Sequence, residues 1–155
     1  MAFTDESELE KHLRRLIGSK ITTKYPNVYA LDNKKAVDIV ICRDGTAPAL
    51  FFLEVKLHQE SHGRMGIGAG KGGGYQPEII TRHPAYFETH LRWVIVDSRE
   101  AAEKYLFVPT NVVSQYLAGT QLGSKQNNIQ LRIFKEVEAL DENGLVDALS
   151  NWLLT

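Results

Sequence analysis

Three charged residues interrupt two segments of the chain that are otherwise almost entirely apolar. Asp38 lies within residues 36–42, and Glu54 and Lys56 lie within residues 49–57. Because side chains alternate along a β-strand, Glu54 and Lys56 share one face, and Asp38 reaches the same face if the two segments pair as a hairpin. We therefore expect two carboxylates and one ammonium group together at the edge of a core, where an unpaired charge is costly to bury.

A divalent cation removes most of that cost. Two neighbouring carboxylates repel each other, so one of them takes up a proton unless a cation joins them. Mg²⁺ prefers carboxylate, carbonyl and water oxygens. A water activated by Mg²⁺ can attack a phosphodiester while the metal offsets charge on the phosphate. The pattern favours a Mg²⁺ site, in which Mn²⁺ is expected to substitute. Lys56 is expected to orient or help deprotonate the water, or to contact the phosphate.

An ordinary ion pair between Glu54 and Lys56 on a solvent-facing strand is the alternative interpretation. A Glu-x-Lys triplet is expected by chance in about every second chain of this size. The setting favours the metal site, because this is the only such triplet in the sequence and it ends an apolar strand one hairpin after Asp38.

Asp38, Glu54 and Lys56 resemble the PD-(D/E)xK signature of the restriction-endonuclease-like nuclease superfamily, with Val37 where the signature has proline. The resemblance implies an α/β fold with a restriction-endonuclease-like core, in which α-helices flank a central mixed β-sheet. It also implies that Asp38 and Glu54 bind Mg²⁺ together with the backbone carbonyl of Val55, and that Lys56 assists the nucleophilic water.

The resemblance extends to the predicted first helix. Many superfamily members, including archaeal Holliday junction resolvases, place a glutamate of this helix near the metal. Glu6 is the corresponding candidate ligand, because it lies three residues before Leu9 and so falls near the apolar face, and Glu10 is the next candidate. Either glutamate can equally be a partner of the helix dipole.

A glycine-rich segment follows the second strand, with seven glycines among residues 63–74. Its spacing fits neither the phosphate-loop nor the dinucleotide-binding pattern. Because glycine permits close approach of the backbone to a ligand, we predict that Arg64 and Lys71 contact DNA phosphates. Tyr75 or Gln76 is predicted to reach bases or the scissile phosphate. A loop without any contact role is an equally weighted alternative.

Length and composition fit one globular domain over residues 1–155, with 43% apolar and 24% charged residues and a net charge of −1. This charge neither supports nor forbids a polyanionic partner. The chain has no apolar stretch near the roughly 20 residues that span a bilayer and no features of a secretory signal, so we expect an intracellular, cytoplasmic protein. The single Cys42 cannot build a disulfide framework. Four scattered histidines are expected at the surface: His58, His62, His83 and His90.

Apolar periodicity and turn residues predict the elements that position these side chains. A first helix is expected to be capped by Thr4 and to end at Gly18, and both tryptophans, Trp93 and Trp152, are expected in the core. Strands are predicted at 28–31, 36–42, 49–57, 91–96, 106–108 and 129–134, and further helices at 77–90, 99–104, 109–119 and 145–154. This order describes a mixed sheet covered by helices.

The sequence thus predicts a Mg²⁺-dependent DNA endonuclease, and most directly a small type II restriction enzyme. Cutting both strands of a palindrome requires two sites, so a homodimer is expected, with the predicted helix around 112–117 or the C-terminal helix as its interface. A Holliday junction resolvase or DNA-repair nuclease is the alternative within this class. A non-catalytic nucleic-acid-binding domain is the alternative from another class.

Overall fold

The computed structural model describes residues 3–31, 38–59, 65–66, 88–100, 103–118 and 128–155. A five-stranded sheet forms its centre, in the order β1 (Val28–Leu31), β2 (Ile39–Arg43), β3 (Ala49–His58), β5 (Leu91–Asp97) and β6 (Leu106–Val108). Two short strands, β4 (Met65–Gly66) and β7 (Asn128–Ile129), pair separately. The helices are α1 (Glu6–Leu16), continued by a π-helical turn (Ile17–Thr22), α2 (Thr110–Gln115), α3 (Ile133–Glu136) and α4 (Glu142–Leu153).

The central sheet is mixed. Strands β1, β2 and β3 form an antiparallel meander, β3 and β5 are parallel, and β5 and β6 are antiparallel. The predicted hairpin between the two interrupted apolar segments is therefore confirmed, with Ile39 opposite Leu53 and Arg43 opposite Ala49. The predicted mixed sheet with flanking helices is confirmed as well.

Hydrophobic clusters cover both faces of the sheet. On β3, Leu53, Val55 and Leu57 join a cluster with the buried faces of α1 and α4. The alternate residue Phe52 packs against the second cluster, which contains residues of α2 and α3. Strand periodicity places the even-numbered residues of β3 together on this second side. Glu54 and Lys56 therefore share the face that the sequence assigned to them.

The start and the end of α1 differ from the prediction. Asp5, and not Thr4, caps the helix, because its side chain accepts a hydrogen bond from the Glu8 amide at 2.8 Å. Thr4 instead donates to the Glu8 carboxylate. The helical path also does not end at Gly18 but continues as a π-helical turn to Thr22, whose apolar residues Ile17 and Ile21 are buried.

Other predicted boundaries also need correction. The strand predicted at 129–134 is wrong beyond Ile129, because Ile133–Glu136 is helical and Ile133 is buried. Helix α2 ends at Gln115, before the predicted stop at Gly119, and no described residue of the helix predicted at 99–104 is helical. Helix α4 begins three residues early because Asp141 caps it, accepting from the Gly144 amide at 2.7 Å.

The two predicted core tryptophans are confirmed, since Trp93 and Trp152 are buried. The buried face of α4, which includes Trp152, is used within the chain, so this face of the helix is not available for the proposed dimer interface. Of the helix predicted at 77–90, the structure describes 88–90, which are helical. In the described ranges no helix combines the length and apolarity needed to cross a membrane.

Candidate active site

The start of β2 and the middle of β3 bring Asp38 and Glu54 together. Asp38 directly precedes Ile39, the first residue of β2, and Ile39 pairs with Leu53, the neighbour of Glu54. One carboxylate oxygen of Asp38, Oδ2, accepts a hydrogen bond from the Val55 amide at 2.8 Å. The Asp38 side chain is thereby fixed against β3.

The backbone of Asp38 is held from the other side by α1. Arg14 Nη2 donates to the Asp38 carbonyl at 2.9 Å, and Arg14 Nε donates to Glu10 at 3.3 Å. The arginine therefore links the first helix to the start of β2. Glu10, the second helix glutamate considered from the sequence, lies near the site and is ion-paired with Arg14.

Glu54 is the most deeply buried acidic side chain near these residues, with 2% of its surface exposed. Its Oε2 atom is buried and has no hydrogen-bond partner among the described residues. Burial, and after it the negative charge of Asp38, raise the pKa of Glu54 well above its ordinary value, although Lys56 opposes the change. Without a cation, Glu54 is therefore expected to take up a proton.

Glu6 joins the same group of charges from the first turn of α1. The amide of Leu57 hydrogen-bonds its carboxylate, and burial raises the pKa of Glu6, with attraction to Lys56 and repulsion from Asp38 as smaller influences. The start of α1 is tied to the end of β3, because the side-chain amide of Gln59 donates a hydrogen bond from Nε2 to the Thr4 carbonyl. The structure therefore brings Glu6 to the site, as the sequence suggested.

Lys56 lies among these carboxylates and is half-buried. Its charge lowers the pKa of both Glu6 and Glu54, against the larger opposing effect of burial. One ammonium group faces three carboxyl groups, so the cluster carries an excess of negative charge when all three are ionised. The ion-pair interpretation of Glu54 and Lys56 accounts for only one of those three groups.

The Val55 backbone lies at the same place. In antiparallel pairing a residue directs its N–H and its carbonyl towards the same neighbouring strand. Because the Val55 amide bonds Asp38, its carbonyl lies on the Asp38 side of β3. This carbonyl is thus placed to be the third oxygen beside Asp38 and Glu54.

These residues fit a hard divalent cation by the chemistry of their donors. Carboxylate and carbonyl oxygens are the ligands that Mg²⁺ prefers, and a cation would supply the partner that Oε2 of Glu54 lacks among the described residues. The three carboxylates do not all approach closely, however. Among the described residues, the set of three ligand atoms that lie within 4.8 Å of one another belongs to His12, Glu103 and Glu142 instead.

Sequence reasoning missed that second set of residues. His12 lies on α1, Glu103 precedes β6, and Glu142 begins α4. No local spacing relates residues so far apart, and the sequence offered no signal beyond their residue types.

The predicted DNA contacts and the predicted surface histidines remain to be placed in the structure. The four predicted DNA contacts, Arg64, Lys71, Tyr75 and Gln76, lie outside the described residues, as do His62 and His83. His58 was expected at the surface, and this is wrong: it is 2% exposed because it ends β3 against the ring of Phe134. His90 is half-buried and packs near Phe51.

No model of a known protein family matches the chain, and no curated protein matches it significantly. The function must therefore be inferred from the residues of the site and the chemistry they allow.

Proposed function

We propose that this protein is a Mg²⁺-dependent endonuclease that hydrolyses phosphodiester bonds in DNA. The observation that carries the proposal is the buried Glu54, whose Oε2 has no partner among the described residues, beside Asp38. A buried carboxylate beside a second carboxylate is unfavourable unless a proton or a cation joins them. A cation bound there gives the two groups a function and accounts for the burial of Glu54.

Asp38, Glu54 and the Val55 carbonyl are the proposed ligands. Glu6 is the proposed outer partner, which acts through a water, because its carboxylate does not complete a close set with the other two. Mg²⁺ usually keeps several waters, which suits such a partner. When bound, the ion would supply an activated water and positive charge against the phosphate.

The remaining charges have separate roles in this proposal. Lys56 holds the attacking water or a phosphate oxygen, because its ammonium group lies near Glu6 and Glu54 and is only half-buried. Arg14 keeps the Asp38 backbone in place through its hydrogen bond to the carbonyl. The pairing of Asp38 with the Val55 amide fixes the orientation of the carboxylate before metal arrives.

The proposed substrate is duplex DNA cut at a specific sequence, as in a type II restriction enzyme acting as a homodimer. This part rests on the resemblance of Asp38, Glu54 and Lys56 to the PD-(D/E)xK signature. The position of Glu6 favours a second candidate, a Holliday junction resolvase or DNA-repair nuclease, because archaeal resolvases place a glutamate of the first helix near the metal. The two candidates share the chemistry and differ in the shape of the DNA.

The test uses purified protein with linear duplex DNA of high sequence complexity and with a four-way junction, each in Mg²⁺ and in EDTA. Asp38→Asn is the diagnostic variant, because asparagine keeps an oxygen that can accept from the Val55 amide. Asp147→Asn is its matched control on the exposed surface of α4. Lys56→Ala is paired with the exposed Lys135→Ala.

Discrete bands from the duplex, in Mg²⁺ alone and lost in Asp38→Asn and Lys56→Ala, support the restriction enzyme. Cleavage confined to the junction supports the resolvase. If neither substrate is cut but DNA is bound equally with and without Mg²⁺, the nuclease proposal fails, and a non-catalytic DNA-binding domain becomes the better account.

A further inference from the structure

A second group of side chains, none of them among the proposed catalytic residues, has the composition and spacing of metal ligands. His12 of α1, Glu103 before β6 and Glu142 of α4 each offer one ligand atom, and these three atoms lie within 4.8 Å of one another. His12 Nε2 is 3.5 Å from Glu142 Oε2 and 4.0 Å from Glu103 Oε2. Three separate segments of the chain thus converge on one point.

These distances match the edges of a metal coordination shell. Zn²⁺ binds imidazole nitrogen and carboxylate oxygen at about 2.0–2.2 Å. Tetrahedral bonds of that length place neighbouring ligand atoms about 3.3–3.6 Å apart. The 3.5 Å from His12 Nε2 to Glu142 Oε2 already lies in this range. The 4.0 Å from His12 Nε2 to Glu103 Oε2 is longer than this range, and a small movement of the half-exposed Glu103 side chain would close the difference.

Tyr105 supports the cluster from the interior. This residue is fully buried, and its hydroxyl donates to Glu103 at 3.0 Å while lying 3.2 Å from His12 Nε2. Burial, with the hydrogen bond and charge of Glu103, raises the pKa of Tyr105, so the phenol stays protonated and acts as a donor. A donor that orients a carboxylate ligand is the usual second layer of a protein metal site.

The imidazole of His12 is also held in place. Its ring lies 5.2 Å from the ring of Phe3 and is stacked at 6.5 Å from that of Tyr105, with an interplanar angle of 7°. The side chain is 21% exposed, and the two glutamates are about 40% exposed. The ring is therefore fixed by packing, while the glutamates can move and water can reach the open side.

The charge of the cluster suits a divalent ion. The two carboxylates carry two negative charges, which one divalent cation balances.

We propose that His12, Glu103 and Glu142 form a binding site for a divalent transition metal of the Zn²⁺ type. One nitrogen and two oxygen donors suit Zn²⁺ and Co²⁺ better than Mg²⁺, which favours oxygen alone. The bound ion ties α1 to the start of α4 and to the segment before β6. The site is separate from Asp38 and Glu54 and does not depend on the nuclease proposal.

Co²⁺ is the probe for the test, because its visible absorption reports both binding and coordination geometry. The full chain is titrated with Co²⁺ in excess Mg²⁺, which occupies sites made of oxygen alone. We expect a saturable absorption band that Zn²⁺ displaces. His12→Ala and Glu142→Gln are expected to weaken Co²⁺ binding at least tenfold. Tyr105→Phe, which keeps the ring and removes the hydroxyl, should weaken it by about tenfold.

Two controls separate this site from other effects. Glu138→Gln alters an exposed glutamate outside the cluster and should bind Co²⁺ as the wild type does. Asp147→Asn, on the exposed surface of α4, should also bind Co²⁺ normally. The result is independent of the nuclease test, because no residue of the cluster belongs to the proposed nuclease site. Far-UV circular dichroism checks that each variant is folded. Equal binding by the wild type and Glu142→Gln, or no saturable band in the wild type, would overturn the proposal.

Discussion

Replacing Glu54 by glutamine distinguishes a metal ligand from an ordinary partner of Lys56. Glutamine keeps the shape of the side chain and removes its charge. If Glu54 is a metal ligand, its charge is unfavourable in the metal-free protein because the side chain is 2% exposed and Oε2 has no partner among the described residues. We therefore expect Glu54→Gln to be more stable than the wild type in EDTA at pH 8.

The size of this effect follows from the charge that the substitution removes, because glutamine leaves an uncharged polar group at the same buried position. An unpaired neutral group costs about 1–3 kcal/mol to bury and an unpaired charged group costs more, so we expect a difference on the order of 1–2 kcal/mol. For a domain of this size, each kcal/mol shifts the melting temperature by about 2–4 °C. The variant is thus expected to melt several degrees above the wild type in EDTA. In Mg²⁺ the order reverses, because only the wild type gains free energy from bound metal.

The pH dependence has a definite sign. Burial raises the pKa of Glu54 in the folded state, so the folded protein binds more protons than the unfolded chain. The wild type in EDTA therefore loses stability as pH rises above the ordinary glutamate range. The advantage of Glu54→Gln should be small near pH 5 and should grow towards pH 8.

Thermal melts followed by circular dichroism at pH 5 and pH 8, each with EDTA or Mg²⁺, measure these differences. Glu138→Gln is the matched control, because it removes the charge of an exposed glutamate and should leave all four melts unchanged. If Glu54→Gln is instead less stable than the wild type in EDTA, and Mg²⁺ stabilises both equally, Glu54 is a structural partner of Lys56 and the metal site is refuted.

Three further predictions concern the supports of the fold and site. Arg14→Ala removes the hydrogen bond to the Asp38 carbonyl and should lower kcat/KM for DNA cleavage by about tenfold. The control Arg15→Ala changes an exposed arginine of the same helix and should keep kcat/KM within about twofold of the wild type. Equal losses in the two variants would contradict the positioning role of Arg14. Asp141→Ala removes the N-terminal cap of α4 and should lower the free energy of unfolding by about 1 kcal/mol in urea titrations. An unchanged urea midpoint would show that the cap contributes nothing to stability. Trp152→Phe loses the hydrogen bond from the indole nitrogen and part of a buried ring. We therefore expect the free energy of unfolding to fall by about 1–3 kcal/mol in the same urea titrations. An unaltered unfolding curve would mean that the core repacks around phenylalanine without cost.

Short-range regularities allowed the centre of the molecule to be predicted. The alternation of side chains in a strand placed Glu54 and Lys56 on one face, and the turn between two apolar segments predicted the hairpin that brings Asp38 beside Glu54. These features depend on neighbours within about twenty residues. The sequence therefore determined the pairing of β2 with β3 and the candidate catalytic residues.

Element ends were less predictable, because two local signals competed with each other or with burial. Asp5 and Thr4 are both good caps, and only the backbone geometry of the folded helix selects Asp5. Gly18 is a typical helix end, yet the chain continues as a π-helical turn, with Ile21 buried in the core. A short apolar run such as 129–134 fits a strand or a buried helix equally well.

Only the tertiary structure decided which distant residues meet. Arg14 reaches the carbonyl of Asp38, 24 residues away, because α1 packs on β3. His12 meets Tyr105, 93 residues away, together with Glu103 and Glu142. Helical and strand periods fix the direction of a side chain relative to its own element, whereas the docking of elements fixes what that side chain touches. The sequence thus determined the charged residues on β3 and at the start of β2, and packing decided their supports and created the second cluster.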